Sequence, residues 1–256
     1  GRGAGSATLT PGMDNGEDDA AIQEITTQEE QQLRRVYDLL CDYHARSHLK
    51  REYLQREEKL TGVRTKVPRP GVTEDMGKAA EITRLTEEMS LLDIDIRKLA
   101  DREDRKIRLA DLSEALRALG KKCSKKELLD MIWEVDENLD GCIDWDEFRL
   151  MFMRNITDRS GLEPSKLYNM VQFMIFDQNE NGKVSVDETM NMLYERYGRQ
   201  RMEAKLRGLF GNNMQETGTQ GGEIDFFQYL EAVERTQYQT FMTTSMGRNL
   251  RSSKGK

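Results

Sequence analysis

The amino-acid sequence predicts an all-α protein: two lobes, each built from a pair of helix–loop–helix units, behind a long N-terminal helical extension. Three observations predict it. Charged residues make up 33% of the chain and hydrophobic ones 37%, the balance of a helix-rich, surface-heavy protein rather than one with a thick core. Two twelve-residue segments, 136–147 and 177–188, repeat one alternation of oxygen-bearing side chains about a glycine. Apolar residues recur at helical spacing on both sides of each segment.

The 256 residues suffice for one or two domains. A net charge of −7 counts against nucleic-acid binding by phosphate neutralisation. No apolar run approaches the ~20 residues that cross a bilayer. Cys41, Cys123 and Cys142 are too few and too scattered for a disulfide framework. They fit reduced thiols and a cytoplasmic location. Gly1 to Asp19 has no apolar stretch of the secretory kind. Were a Met to precede Gly1, Gly5 would stand where myristoylation wants Ser or Thr, so no lipid anchor is expected. No nucleophile–base set, phosphate-cradling loop or cofactor motif appears, so no enzymatic role is expected.

In chain order, residues 1–25 lack large apolar groups and read as a flexible tail. Residues 26–62 read as one helical arm, with Thr27 and Glu30 at capping-box spacing and Gly62 placed to end it. Its apolar residues, among them Leu33, Val36, Tyr37, Leu40, Tyr53 and Leu60, form a thin stripe that suits a solvated arm or a partner-docking helix. Cys41, His44 and His48 share one face of that helix, but no fourth ligand accompanies them, so a solvated or docked face is preferred to a zinc site. Residues 63–75 carry two prolines and form a linker. A second long helix starts near Thr73, and the first lobe spans 76–156. In that helix Ile82, Leu85, Met89, Leu92, Ile96 and Leu99 follow a coiled-coil or core-facing spacing, its second half entering the lobe. The second lobe spans 164–236, and residues 237–256 form a basic tail.

In the segment from Asp136, Asn138, Asp140, Asp144 and Glu147 occupy positions 3, 5, 9 and 12, with Gly141 at position 6. A hard cation such as calcium takes about seven oxygens. Side chains at positions 1, 3 and 5 converge because the loop winds tightly. Cys142 at position 7 gives its backbone carbonyl, and Glu147 closes the site with two oxygens. The second segment repeats the pattern with Asp177, Asn179, Asn181, Lys183 (by its carbonyl), Ser185 and Glu188 around Gly182. Four carboxylates in the first loop against two in the second predict tighter calcium binding at 136–147, and Asp144 at position 9 allows magnesium to compete there. Ile143 and Val184, both at position 8, are expected to pair with neighbouring loops.

One repeat before Asp136, the segment 100–111 keeps Ile107 at position 8 but holds Ala100, Arg102, Asp104, Arg108 and Asp111 in ligand slots and Arg105 in the glycine slot. Such a loop keeps its fold without a metal. A fourth unit near 211–228 puts Ile224 at position 8 and Gln228 at position 12 behind a long, acid-poor loop, which also argues against a metal.

The run from about Leu99 to Ala232, and above all LADLSEALRALGKKCSKKELLDMIWEVDENLDGCIDWDEF, resembles calmodulin, centrin and related EF-hand proteins with four hands. The resemblance implies calcium at the two matching loops. The helix KLYNMVQFMIF is apolar nearly all round: Leu167, Phe173 and Phe176 suffice for a lobe core, leaving Met170, Val171 and Met174 on an outer face. With Trp133 and 14 methionines, this favours protein partners in a larger assembly. The expected role is a structural or regulatory subunit of a cytoskeletal assembly, the family resemblance allowing a cilium or flagellar axoneme. The alternatives are a free calmodulin-like sensor that captures target helices and a regulatory subunit of a phosphatase or kinase.

Overall fold

The computed structural model describes residues 25–65, 75–158, 163–211 and 222–243. Most of the tail expected over 1–25 and of the linker expected over 63–75, residues 212–221 of the unit expected near 211–228, and the basic tail expected over 237–256 from 244 onward lie outside the described residues.

Helix α1 (Thr27–Leu40) is capped by Thr26, one residue before the expected cap Thr27. The Thr26 hydroxyl accepts from Glu29 N at 3.2 Å, while Thr26 N donates to Glu29 Oε2 at 2.9 Å; each satisfies a donor that the first turn leaves without a partner. The arm is not one helix. It breaks at Cys41 and Asp42, where Asp42 takes φ 55°, a left-handed conformation that Asp tolerates better than most residues. Arg46 fixes the break: its guanidinium donates to the carbonyls of Asp38 at 3.0 Å, Cys41 at 2.8 Å and Leu39, and so supplies the C-terminal acceptors of α1 with partners. Helix α2 (Tyr43–Thr65) then runs through Gly62, which does not end it.

Helix α3 (Asp75–Ala100) folds back on α2. Leu60 and Val63 bury against Leu85, flanked by Ile82 and Met89, and Arg56 Nε lies 3.5 Å from Glu88. The apolar spacing of α3 thus serves a two-helix hairpin instead of a lobe interior, and Leu91 stays 62% exposed. Next come α4 (Leu109–Ala118), α5 (Lys125–Trp133), α6 (Trp145–Thr157) and α7 (Lys166–Phe176). After these come β1 (Lys183–Ser185), α8 (Val186–Phe210), β2 (Glu223–Asp225) and α9 (Phe226–Thr243). Gly198, at φ 66° and ψ 173°, divides α8 into an exit helix for one unit and an entering helix for the next.

Backbone pairing joins the units two by two. Ile107 and Ile143 exchange hydrogen bonds at 2.9 Å in both directions, and β1 pairs antiparallel with β2, Val184 opposite Ile224. All four of these side chains are buried. One hydrophobic cluster unites both lobes with α1: Leu33, Val36 and Leu40 are wholly buried and Tyr37 nearly so, in the same core as Phe148, Phe173 and Tyr229. Each buried side chain of this size contributes about 1.5–3 kcal/mol, enough to dock a single short helix. The face of α7 expected to look outward is inside: Met170 and Val171 are fully buried and Met174 is 7% exposed, with α1 packed along this helix. Trp133, in contrast, is 74% exposed.

Candidate metal centres

The loops at 136–147 and 177–188 share one backbone path. Position 4 is left-handed in both, Leu139 at φ 60° and Glu180 at φ 57°, and so is position 6, Gly141 at 78° and Gly182 at 77°. No atom lies within 4 Å of where a Cβ on either glycine would stand, so glycine is required there by the dihedral and not by crowding.

This winding turns the polar side chains inward. In the first loop Asp136, buried at 7% exposure, accepts from Asp140 N at 3.1 Å and Gly141 N at 2.8 Å. Asn138 Oδ1 accepts from Asp140 N at 3.0 Å, and Asp140 Oδ1 from Cys142 N at 2.9 Å. Glu147, also buried, receives Glu137 N, Asn138 N and Asp144 N at 3.0–3.2 Å, while Asp144 caps α6 through Glu147 N at 3.0 Å. The second loop repeats this. Asp177 accepts from Asn181 N and Gly182 N at 3.0 and 2.9 Å, Asn179 from Asn181 N at 3.0 Å, and Asn181 from Lys183 N at 2.7 Å. Ser185 and Glu188 cap α8 reciprocally. Burial raises the Asp177 carboxyl above its ordinary range, against the lowering pull of its backbone donors.

Among the described residues no group of three or more His, Cys, Asp or Glu side chains is gathered closely enough to make a metal site. The oxygens of both loops are instead engaged with backbone N–H groups. The donor set is nonetheless that of a hard cation, since each loop carries side-chain oxygens at positions 1, 3, 5, 9 and 12 and a main-chain carbonyl at position 7. Asn138, Asp140, Asn179, Asn181 and Lys183 are exposed, and Cys142, Asp144, Ser185 and Glu188 half-buried, so solvent reaches both loops. Cys41 lies in the core while His44 and His48 face solvent beyond the helix break, so these three do not share a face.

The segment 100–111 follows a different path, with no left-handed residue, and its cations have partners that sequence reasoning did not supply. Arg105, in the glycine slot, donates to Asp38 Oδ1 of α1 at 2.9 Å. Arg102 and Arg108 lie 3.5 and 3.2 Å from Asp42 Oδ1 at the α1–α2 break. Asp111, in the position-12 slot and buried, accepts from His44 N at 2.9 Å and Arg108 N at 3.0 Å; burial raises its carboxyl pKa. The side chain that would close a metal site therefore holds the start of α2. Lys106 reaches across to Asp140 Oδ2 of loop 136–147, a contact that holds the Asp140 carboxyl below its usual range. The sign reversal in the ligand slots was visible in the sequence; Asp38 and Asp42, 60 to 67 residues from the arginines they meet, carried no local signal.

Residues 103–155 and 151–196 match the family model described as an EF-hand domain pair. The chain is 32% identical over 129 residues to a probable calcium-binding protein, CML13, of Oryza sativa subsp. japonica, covering 50% of this chain and 71% of the relative. It is 26% identical to calcium-binding protein CML19 of Arabidopsis thaliana, covering 50% of this chain and 72% of that protein. Its identity to probable calcium-binding protein CML17 of Oryza sativa subsp. japonica is also 26%, over 56% of this chain and 91% of the relative.

Proposed function

This chain belongs to the EF-hand family and binds calcium, and from that premise we propose that its ions sit in loops 136–147 and 177–188. The observation that carries the assignment is the backbone winding common to these two loops, left-handed at positions 4 and 6, which aims the oxygens of positions 1, 3 and 5 inward. Asp136, Asn138, Asp140, Asp144 and Glu147, with the Cys142 carbonyl, form the first ligand set. Asp177, Asn179, Asn181, Ser185 and Glu188, with the Lys183 carbonyl, form the second. The first set carries the greater negative charge and binds more tightly. Segment 100–111 and the unit around Ile224 serve as pairing partners without an ion.

The role is protein binding rather than catalysis, in keeping with relatives named only as calcium-binding proteins. Exposed Trp133 and Leu129, at 74% and 48% on α5, offer apolar surface to a protein partner, as suits a regulatory or structural subunit of a larger assembly. The cytoskeletal or ciliary setting is supported by the family resemblance alone. No helix among the described residues is long and apolar enough to cross a membrane.

Calorimetry tests the sites. Glu147→Gln removes one charge and the bidentate closure, and is expected to abolish the tighter of two calcium-binding events while Glu188→Gln abolishes the weaker. Survival of both events in Glu147→Gln would refute the assignment of the tighter site.

A further inference from the structure

Loop 177–188 is held from outside by one residue of the arm. Arg35 of α1 donates through Nη2 to the Met174 carbonyl of α7 at 2.7 Å and to the Asp177 carbonyl at 3.5 Å. Its Nε donates to Gln32 Oε1 at 2.8 Å, which fixes the plane of the guanidinium. Its Nη1, buried and without a hydrogen-bond partner, lies 3.7 Å from Glu180 Oε1. Met174 and Asp177 stand at the C-terminal end of α7, where main-chain carbonyls lack partners within the helix and a cation is favoured. Asp177 and Glu180 are positions 1 and 4 of the loop. One side chain, 142 residues from Asp177 in sequence, thus grips the loop at two points.

Neither point is an oxygen of the proposed ligand set. Position 1 gives the ion its side chain and not its main-chain carbonyl, and position 4 gives it nothing. Arg35 therefore takes no oxygen from an ion, unlike Lys106, which reaches Asp140 Oδ2 in the other loop. What it restrains is the winding. Glu180 is left-handed at φ 57°, a conformation unfavourable for a residue with a Cβ, and the contact from outside keeps it there. Loop 136–147 has no such hold. Its position 4, Leu139, is 75% exposed. Among the described residues α1 makes neither hydrogen bond nor ion pair with that loop, meeting it at Trp145 through the ring of Tyr37 and the guanidinium of Arg34. The difference falls where charge is scarce. Loop 177–188 offers two carboxylates in its proposed set against four, so less attraction is at hand to offset the entropy of ordering the loop around an ion.

We propose that Arg35 is a positioning residue of the second calcium site: docked α1 holds loop 177–188 in its wound form and raises calcium affinity there, leaving 136–147 unaffected. The proposal rests on the assignment of the ions to these two loops, and the measurements below separate its failure from failure of that assignment.

The test is calcium calorimetry of the full chain carrying Arg35→Lys. Lysine keeps the charge, so any repulsion of the ion is unchanged, but it has no fork with which to hold two carbonyls and Glu180 together. The change falls on a side chain that is 29% exposed, and circular dichroism checks that the fold is kept. The weaker of the two events is expected to lose about fivefold in affinity, the lower end for coupled sites, and the tighter one to stay within about twofold. An unchanged or strengthened weaker event overturns the proposal. So does an equal loss at both events, which would mark a general loosening of the fold. Leu33→Glu, which undocks α1 with Arg35 still present, supplies a second measurement. The weaker event is expected to fall at least as far in this variant, and an undiminished one again overturns the proposal. Glu188→Gln in the otherwise unaltered chain distinguishes the two failures. If the weaker event survives it, the ion assignment falls and the proposal with it; if that event is lost while Arg35→Lys changes nothing, the proposal falls alone.

Discussion

Burial lifts the Cys41 thiol to about 11, against the pull of its hydrogen bond with Tyr37. At pH 8 roughly one molecule in a thousand therefore holds it as the thiolate that reacts. Cys123 and Cys142 are half-buried, and burial raises their thiols as well, but both can be reached. A disulfide reagent at pH 8 is expected to label two thiols of the native chain promptly and the third only in denaturant; three prompt thiols would mean that α1 does not stay docked. A second residue-scale prediction concerns Lys106. Its ammonium reaches Asp140 Oδ2, an oxygen of the proposed ligand set, and on that proposal it competes with the ion. Lys106→Met is expected to raise the calcium affinity of loop 136–147 by up to about fivefold, the range for an exposed ion pair, with no change at 177–188. An unchanged or weaker first site in calorimetry would show that Lys106 does not compete.

At the scale of elements, the α1–α2 break is the feature least visible in the sequence. No Gly or Pro marks Asp42, and the residues on either side have helical spacing. What ends α1 is long-range or nearly so: Arg46 on its carbonyls, Asp111 on His44 N, and Arg102 and Arg108 facing Asp42. The winding of segments 136–147 and 177–188 was legible because all twelve positions of each are contiguous, with Gly141 and Gly182 marking the left-handed position 6. The docking of α1 against this chain's own helices was not, because what receives its thin stripe is assembled from α4, α6, α7 and α8, up to 167 residues away. The hairpin joins neighbouring helices and was hidden for another reason: the α3 stripe is equally consistent with a lobe core until α2 is placed beside it. Asp42→Ala tests the break. It leaves a left-handed residue worth about 1 kcal/mol of strain in Ala and strips Arg102 and Arg108 of a carboxylate that is 7% exposed. Urea denaturation is expected to show a loss of about 1–3 kcal/mol, most of it from the dihedral, because the two arginines are half-exposed and their pairing is screened by solvent. Asp42→Gly, which relieves the dihedral but not the charge loss, is expected to fall between Ala and the native residue.

For the whole molecule, the decisive property is that one core spans both lobes. Two EF-hand lobes joined only by a linker would each unfold independently, but here Leu33, Val36, Tyr37 and Leu40 lie in the same cluster as Phe148 from the first lobe and Phe173 and Tyr229 from the second. Neither lobe can then expose its interior without undocking α1 from the other, and the two transitions merge. Calcium acts on this joint equilibrium by mass action: an ion bound only by the folded state adds about 2.7 kcal/mol at a hundredfold excess over Kd, for each site. Scanning calorimetry of the unaltered chain is therefore expected to show a single transition that moves upward with calcium and back with chelator. In Leu33→Glu, which places a charge at a wholly buried position, the transition should split in two, each half responding to the ion held by its own lobe. Separate transitions in the unaltered chain would show that α1 does not couple the lobes, and calcium at one loop would then leave the stability of the other lobe untouched.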